Sequence, residues 1–304
     1  MKKTKKLKKT KKRYKIVGGG RGKVEKNKLR CSPKGNKFDA NNFSCYANST
    51  LQKLKNLWNS KSQQKIFSND PKDIWSQIKK KFNGVCDKES CWAYKLAVGD
   101  LSKEIIDKSF SPLRPKSWDK NKEEWLSDHD IEQVLDQYEA AYKCFHFFKP
   151  SPIDFCAYDG SRKVSSEICD VKLKDLILKG KTKLGFVFNT DPHTKSGSHW
   201  VSLFVNIKKK WIFFFDSVGD TAPLNVKSLI ENIKKQGLEL GIDFKDDENH
   251  PHEVQFLNNE CGMYSLYFIL NMLMDKHNPE YFKTHKIPDK EMNNYRKIYF
   301  NSSL

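Results

Sequence analysis

"HWVSLFVNIKKKWIFFFDS", His199–Ser217, decides how this chain folds. Two runs rich in β-branched and aromatic residues flank a lysine-rich break, the pattern of two strands joined by a turn. With the turn centred between Ile207 and Lys208, His199 and Asp216 fall directly opposite each other, with Cβ atoms ~5 Å apart. A carboxylate at that distance accepts a hydrogen bond from one imidazole nitrogen. It fixes the tautomer and stabilises the imidazolium. The spacing therefore predicts a hairpin with a His–Asp pair at its open end.

Further elements read outward from the hairpin. "KLGFVFNT" (183–190) is a third strand, and "HEVQFL" (252–257) reads as a short one. Residues 226–239 carry Val226, Leu229, Ile230 and Ile233 in helical phase. Helices also run from Cys261 to about Asp275 and through "DKEMNNYRKIYF" (289–300). Upstream, residues 41–142 read as helical. Leu51, Leu54 and Trp58 share one face, Asp70 and Pro71 start a helix with Ile74, Ile78 and Phe82, and Ser127 with Asp130 forms a capping box. Strands beside helices predict an α+β core with a helical arm before it. The predicted division is a basic disordered tail over 1–38, a helical arm over 39–150 and a core over 151–304.

The chain has 304 residues, 38% hydrophobic and 12% aromatic, enough for a sizeable core. No apolar run reaches the ~18 residues of a membrane span, and no apolar region follows the basic N-terminus as in a secretory signal peptide. The formal charge of +19 is uneven. Residues 1–30 hold 15 Lys and Arg against Glu25 alone; the rest holds 41 basic and 36 acidic residues. Such a tail is either a solubilising segment or a weak, sequence-independent binder of nucleic acid. Eight scattered cysteines in a chain of this length predict reduced thiols. Cys86 and Cys91 make at most half a zinc site, because no second ligand pair follows.

"QFLNNECGMYSLYFIL", Gln255–Leu270, carries the chemistry. A turn-like stretch yields to one cysteine, one glycine and an apolar run. A helix N-terminus offers unpaired N–H groups and a partial positive charge, which favours a thiolate. Cys261 is thus the candidate nucleophile, with Gly262 leaving room for an approaching carbonyl. The Gln255 side chain and the Cys261 N–H form a candidate oxyanion pair. A free cysteine is more often a small buried hydrophobe; four spaced elements, His199, Asp216, Gln255 and Cys261, favour chemistry. His193, His250 and His252 are rival histidines, read as loop or surface residues with no carboxylate at a spacing that forces contact.

"HW", "FFDS", and "Q" six residues before "CG" resemble the ubiquitin-like-protein protease clan, which includes SUMO proteases and the adenovirus protease. The resemblance covers roughly residues 183–275. "FVFNTDPHTKSGSHWVSLFVN", "NECGMYSLYFI", the upstream "CDKESC" and "IPDKEMNNYRKIYF" are similar to the polyprotein-processing proteases of asfarviruses and related large cytoplasmic DNA viruses. The resemblance implies a papain-like, SUMO-protease-like core with a central mixed sheet flanked by helices, and a triad of His199, Asp216 and Cys261. It also implies cleavage after Gly-Gly in viral structural polyproteins during virion maturation, in the host cytoplasm (viral factory) and the virion, with no metal or organic cofactor. The chain departs from the pattern in having Glu260 where the clan often has Asp, and Asp216 where the asfarvirus-type branch uses Asn. In that branch the amide three residues before the cysteine, here Asn258, is an alternative to Gln255 for the oxyanion. Gly-Gly selection implies a narrow slot; Trp200 is either its roof or a core aromatic on the strand face opposite His199. The same motif serves a protease that deconjugates SUMO or ubiquitin-like proteins. A third reading is a non-catalytic nucleic-acid-binding protein acting through its tail. Gly18-Gly19-Gly20 reads as a flexible joint or as a self-cleavage site.

Overall fold

The computed structural model describes residues 30–33, 43–86, 88–257 and 259–301. Most of the predicted tail, the Gly18-Gly19-Gly20 run and Asn258 lie outside these residues.

Helices α1 (Asn48–Lys61), α2 (Pro71–Lys81), α3 (Glu89–Leu96) and α4 (Asp100–Ser109) build the arm. Leu51, Leu54, Ile74, Ile78, Trp92 and Ile105 close one apolar cluster of their own. α2 starts as its sequence predicts, with the Asp70 carboxylate accepting the Asp73 N–H at 2.8 Å. Inside the arm the buried Glu89 carboxylate accepts from the Ser44 hydroxyl at 2.9 Å, the Cys45 N–H at 3.2 Å and the Trp75 indole. A proline-broken segment with one 3₁₀ turn (Lys116–Asp119) then leads to α5 (Asp128–Ala141), where the Ser127–Asp130 capping box forms.

The core follows with β1 (Phe145–Pro152), the small hairpin β2 (Tyr158–Asp159) and β3 (Arg162–Lys163), α6 (Ser166–Cys169) and α7 (Leu173–Leu178). Then come β4 (Lys183–Asn189), β5 (Trp200–Asn206), β6 (Trp211–Phe215), α8 (Leu224–Glu239) and β7 (Lys245–Glu248). α9 (Cys261–Leu273), α10 (Pro279–Thr284) and α11 (Asp289–Tyr299) complete the described chain. The main sheet runs β1-β4-β5-β6-β7, with β1–β4 and β6–β7 parallel and the inner pairs antiparallel. This is the predicted mixed sheet flanked by helices. α9 and α5 cover one face with Phe204, Phe213 and Phe215; α8 covers the other with Leu203, Val205, Ile212 and Phe214. Every residue of α9 is buried, so its N-terminus is held rigidly at the end of the sheet.

Four expectations are corrected. The boundary at 150–151 falls inside β1, and α5 and β1 belong to the core: Ile131, Val134, Leu135, Phe145 and Phe147 pack with α9. "HEVQFL" is no strand; the edge strand is instead Lys245–Glu248, "KDDE", whose charge hid it. The hairpin pairs Asn206 with Trp211 and Ser202 with Phe215, a register two residues from the predicted one. The Asn206 side chain accepts the Lys209 N–H at 3.0 Å, and Lys210 takes φ 55, so the turn needs four residues. A two-residue shift keeps every side chain on its face. Lastly, the thiols are not all reduced: Cys31–Cys45, Cys86–Cys91 and Cys156–Cys169 are disulfides, leaving Cys144 and Cys261 free among the described residues. Each bridge closes a loop of no more than 14 residues, so chain length was the wrong guide. Cys86 and Cys91 bond to each other, and so are not half a zinc site.

The Gln137 amide on α5 donates to the arm carbonyls of Asp107 and Phe110 at 3.0 and 2.9 Å, and a second seam joins the arm to the C-terminal end of the described core. Arg30 Nη1 donates to the Phe300 carbonyl at 3.1 Å, and the Asn301 side chain donates to the carbonyls of Arg30 and Ser111 at 3.2 and 2.9 Å. Backbone bonds from Asn301 to Pro112 (2.7 Å) and from Arg114 to Asn301 (2.9 Å) complete the seam.

Candidate active site

Three predicted residues meet at one end of the sheet. Cys261 is the first residue of α9, where backbone N–H groups lack helical partners. His199 immediately precedes β5, and Asp216 immediately follows β6. In the observed register Asp216 is a diagonal rather than a direct neighbour of His199. Both lie past the ladder's end, and His199 Nε2 still reaches Asp216 Oδ1 at 2.7 Å. The Cys261 thiol lies on the imidazole as well, near enough to favour its charged form. Burial opposes charge on the ring, but the hydrogen bonds and charges of Asp216 and Cys261 outweigh it. The His199 pKa is pushed up to about 10. The order thiol, imidazole, carboxylate is that of a nucleophile, its proton acceptor and an orienting anion.

Two residues absent from the sequence reading hold Asp216 and Gln255. Asn249, 1% exposed, grips the Asp216 backbone from both sides: its Oδ1 accepts the Asp216 N–H at 2.8 Å and its Nδ2 donates to the Asp216 carbonyl at 2.7 Å. The Val218 N–H adds a bond to Asp216 Oδ1 at 3.0 Å. Ser217 donates its hydroxyl to Gln255 Oε1 at 2.6 Å, which fixes the orientation of that amide. The Gln255 amide donates to the Leu257 carbonyl, within its own segment. Nothing in "DENHPH" (247–252) marks Asn249, because its role depends on a partner 33 residues away. Ser217 sits in the quoted "FFDS" but carried no role there.

Trp200 is buried in the cluster with Cys261 and Met263, and its indole N–H donates to the Leu126 carbonyl at 2.9 Å. Leu126 also explains Gly262. A Cβ at Gly262 would stand 2.9 Å from Leu126 Cβ, so glycine is needed for α9 to approach the linker. The open space expected there is filled. We expect Gly262→Ala to destabilise the fold by about 1–3 kcal/mol, measured by urea unfolding. Leu126→Ala in the same chain should recover part of that loss; strict additivity of the two would refute the contact.

The rival histidines are engaged elsewhere. His193 has a carboxylate after all: its ring nitrogen lies 2.7 Å from Asp154 Oδ2, a partner 39 residues away. His250 contacts the Gly219 carbonyl at 2.7 Å, and His252 the His285 carbonyl at 3.1 Å.

Comparison with known proteins gives four findings. Residues 178–303 match the family model "Ulp1 protease family, C-terminal catalytic domain". A SUMO-1 cysteine protease of African swine fever virus is 30% identical over 242 residues, covering 74% of this chain and 86% of the relative. A putative thiol protease of Acanthamoeba polyphaga mimivirus is 29% identical over 243 residues, covering 77% and 76%. Among solved structures, an ASFV protease shares the fold with a TM-score of 0.68 at 23% identity, over 90% of this chain and 96% of that one.

Proposed function

We propose, on the premise that this chain belongs to the Ulp1 protease family and is a cysteine protease, that it cuts after Gly-Gly in viral structural polyproteins. The observation that carries the reading is the contact of His199 with both Asp216 and Cys261 at the N-terminus of α9. In this reading His199 takes the Cys261 thiol proton, and the sulfur attacks the scissile carbonyl. The same imidazolium then protonates the leaving amine, and water releases the acyl group from sulfur. Asp216 steadies the charged ring. The Cys261 N–H and the Gln255 amide receive the oxyanion; for Gln255 this requires the amide to exchange its bond to Leu257 for the substrate oxygen. Trp200, fixed through Leu126, borders the slot that admits residues without side chains. Virion and host cytoplasm are the compartments this reading implies. The three disulfides favour the virion as the place where the folded enzyme persists, because thiols stay reduced in cytoplasm.

A second reading keeps the chemistry and changes the substrate to a SUMO-like or ubiquitin-like conjugate, favoured by the name of the swine fever virus relative. The test is a paired incubation of the full chain with a Gly-Gly-containing polyprotein and with SUMO and ubiquitin fusions. Cleavage of the polyprotein after Gly-Gly is the expected result; release of folded modifiers alone would replace the first reading by the second. Residues 1–30 act in this proposal as a weak polyanion anchor beside catalysis, so deleting residues 1–29, which keeps the Arg30 seam, should weaken nucleic-acid binding at low salt and spare cleavage. Mass spectrometry of the incubated protein reports whether the chain also cuts at Gly18-Gly19-Gly20.

A further inference from the structure

One helix grips the segment that leads into the candidate nucleophile from both ends. Asp289 and Arg296 lie seven residues apart on α11, two turns along one face. Both are buried, Asp289 at 8% and Arg296 at 4% exposure. Asp289 Oδ2 accepts the Phe256 N–H at 3.2 Å. Its Oδ1 lies 3.0 Å from the Tyr264 hydroxyl, which is also within hydrogen-bond distance of the Val254 and Ile287 carbonyls. At the other end Arg296 Nε donates to both oxygens of Glu260 at 3.1 and 3.0 Å, and Nη2 donates to the Asn259 carbonyl at 3.4 Å. The guanidinium lies 4.6 Å from the centre of the Trp118 ring. Residues 254–257, which carry Gln255, are thus held by Asp289, and residues 259–260, which end beside Cys261, by Arg296.

We propose that Asp289 and Arg296 are positioning residues for peptide cleavage, holding the Gln255 amide and the Cys261 N–H in the mutual placement that one oxyanion requires. The inference rests on the reading of Cys261 as nucleophile. Stability alone does not explain the pair: a buried ion pair is often matched or bettered by apolar residues of similar volume. Geometry does. Oxyanion donors act only when preset at the position where charge develops, and a misplacement of about 1 Å costs on the order of 100-fold in rate. Glu260 has no N–H partner to cap on α9; its carboxylate is committed to Arg296.

The test uses the full-length protein and a Gly-Gly-containing peptide. Arg296→Met combined with Glu260→Met removes both charges together and should leave the unfolding midpoint unchanged or raised. Its kcat should fall about 10- to 100-fold with KM held within about twofold. A role confined to stability would move the midpoint and leave kcat. A folded double variant with wild-type kcat overturns the proposal. Should that variant fail to fold, Asp289→Ala, which removes the acceptor of the Phe256 N–H, answers the same question: a reduced kcat at steady KM supports the brace, and an unchanged kcat overturns it. Cys261→Ala runs alongside. If it is inactive while the double variant is fully active, only the brace falls; if it still cleaves, the nucleophile assignment falls with it.

Discussion

Cys261→Ala should lose on the order of 10⁵-fold or more in turnover while keeping its fold. The sulfur at the N-terminus of α9 acts on the His199 ring, and among the described residues the other free thiol is Cys144. Cys144, the other free cysteine, lies just before β1, in the loop that supports β4. Alanine fills nearly the same space: Cys261 is 2% exposed within the cluster formed by α9, α5 and the sheet. Loss of one buried sulfur costs on the order of 1 kcal/mol of apolar burial. Substrate affinity should survive, because only the sulfur atom is removed. Chromatographic assay of peptide cleavage and calorimetric binding to the same peptide separate the two effects. Residual turnover above about 1% of wild type would show that the thiol is not the nucleophile.

Asp216→Asn should cost about 10³- to 10⁴-fold in rate and also change the pH profile. Asparagine keeps the shape, and its oxygen still accepts the Val218 N–H. The negative charge that helps hold the His199 pKa at about 10 is gone. The ring should then release its proton nearer its ordinary value of 6.5. The alkaline limb of kcat/KM, where the imidazolium is lost as a proton donor, should move toward acid. The sign for stability follows from linkage. The folded pKa of His199 lies above its unfolded value, so its stabilisation is complete below about pH 6.5 and is lost as pH rises through about 10. In that window the wild-type protein should lose stability from this pair, and Asp216→Asn should lose less, measured as urea midpoints across the pH series. An alkaline limb that stays in place in Asp216→Asn would remove Asp216 from the ring's electrostatics.

Legibility in the sequence followed the range of the interactions. The β5–β6 hairpin is local, so its strands could be read, and only the turn length was misjudged; the error was even-numbered, and the faces survived it. Cys261 was legible because thirteen buried residues begin at it abruptly. β7 was not, because an edge strand of Lys, Asp, Asp and Glu has no apolar periodicity. Asn249 and Leu126 were illegible for another reason. Each acts on residues far along the chain, Asn249 on the Asp216 backbone and Leu126 on the Trp200 indole and Gly262, and one sequence holds no trace of such pairings. Asp154 beside His193 is the same case. β1 was absorbed into the arm because only three residues separate it from α5.

The seam between Arg30 and Phe300 bears on synthesis. Arg30 leaves the ribosome 270 residues ahead of its partner, a delay on the order of 15–50 s at about 5–20 residues per second. Once Phe110 has followed, the arm's own cluster has all its members, yet the seam to Phe300 and Asn301 cannot form. A nascent chain that has already exposed Cys261 still lacks Phe300 and Asn301, so the thiol is translated before the architecture around it can close.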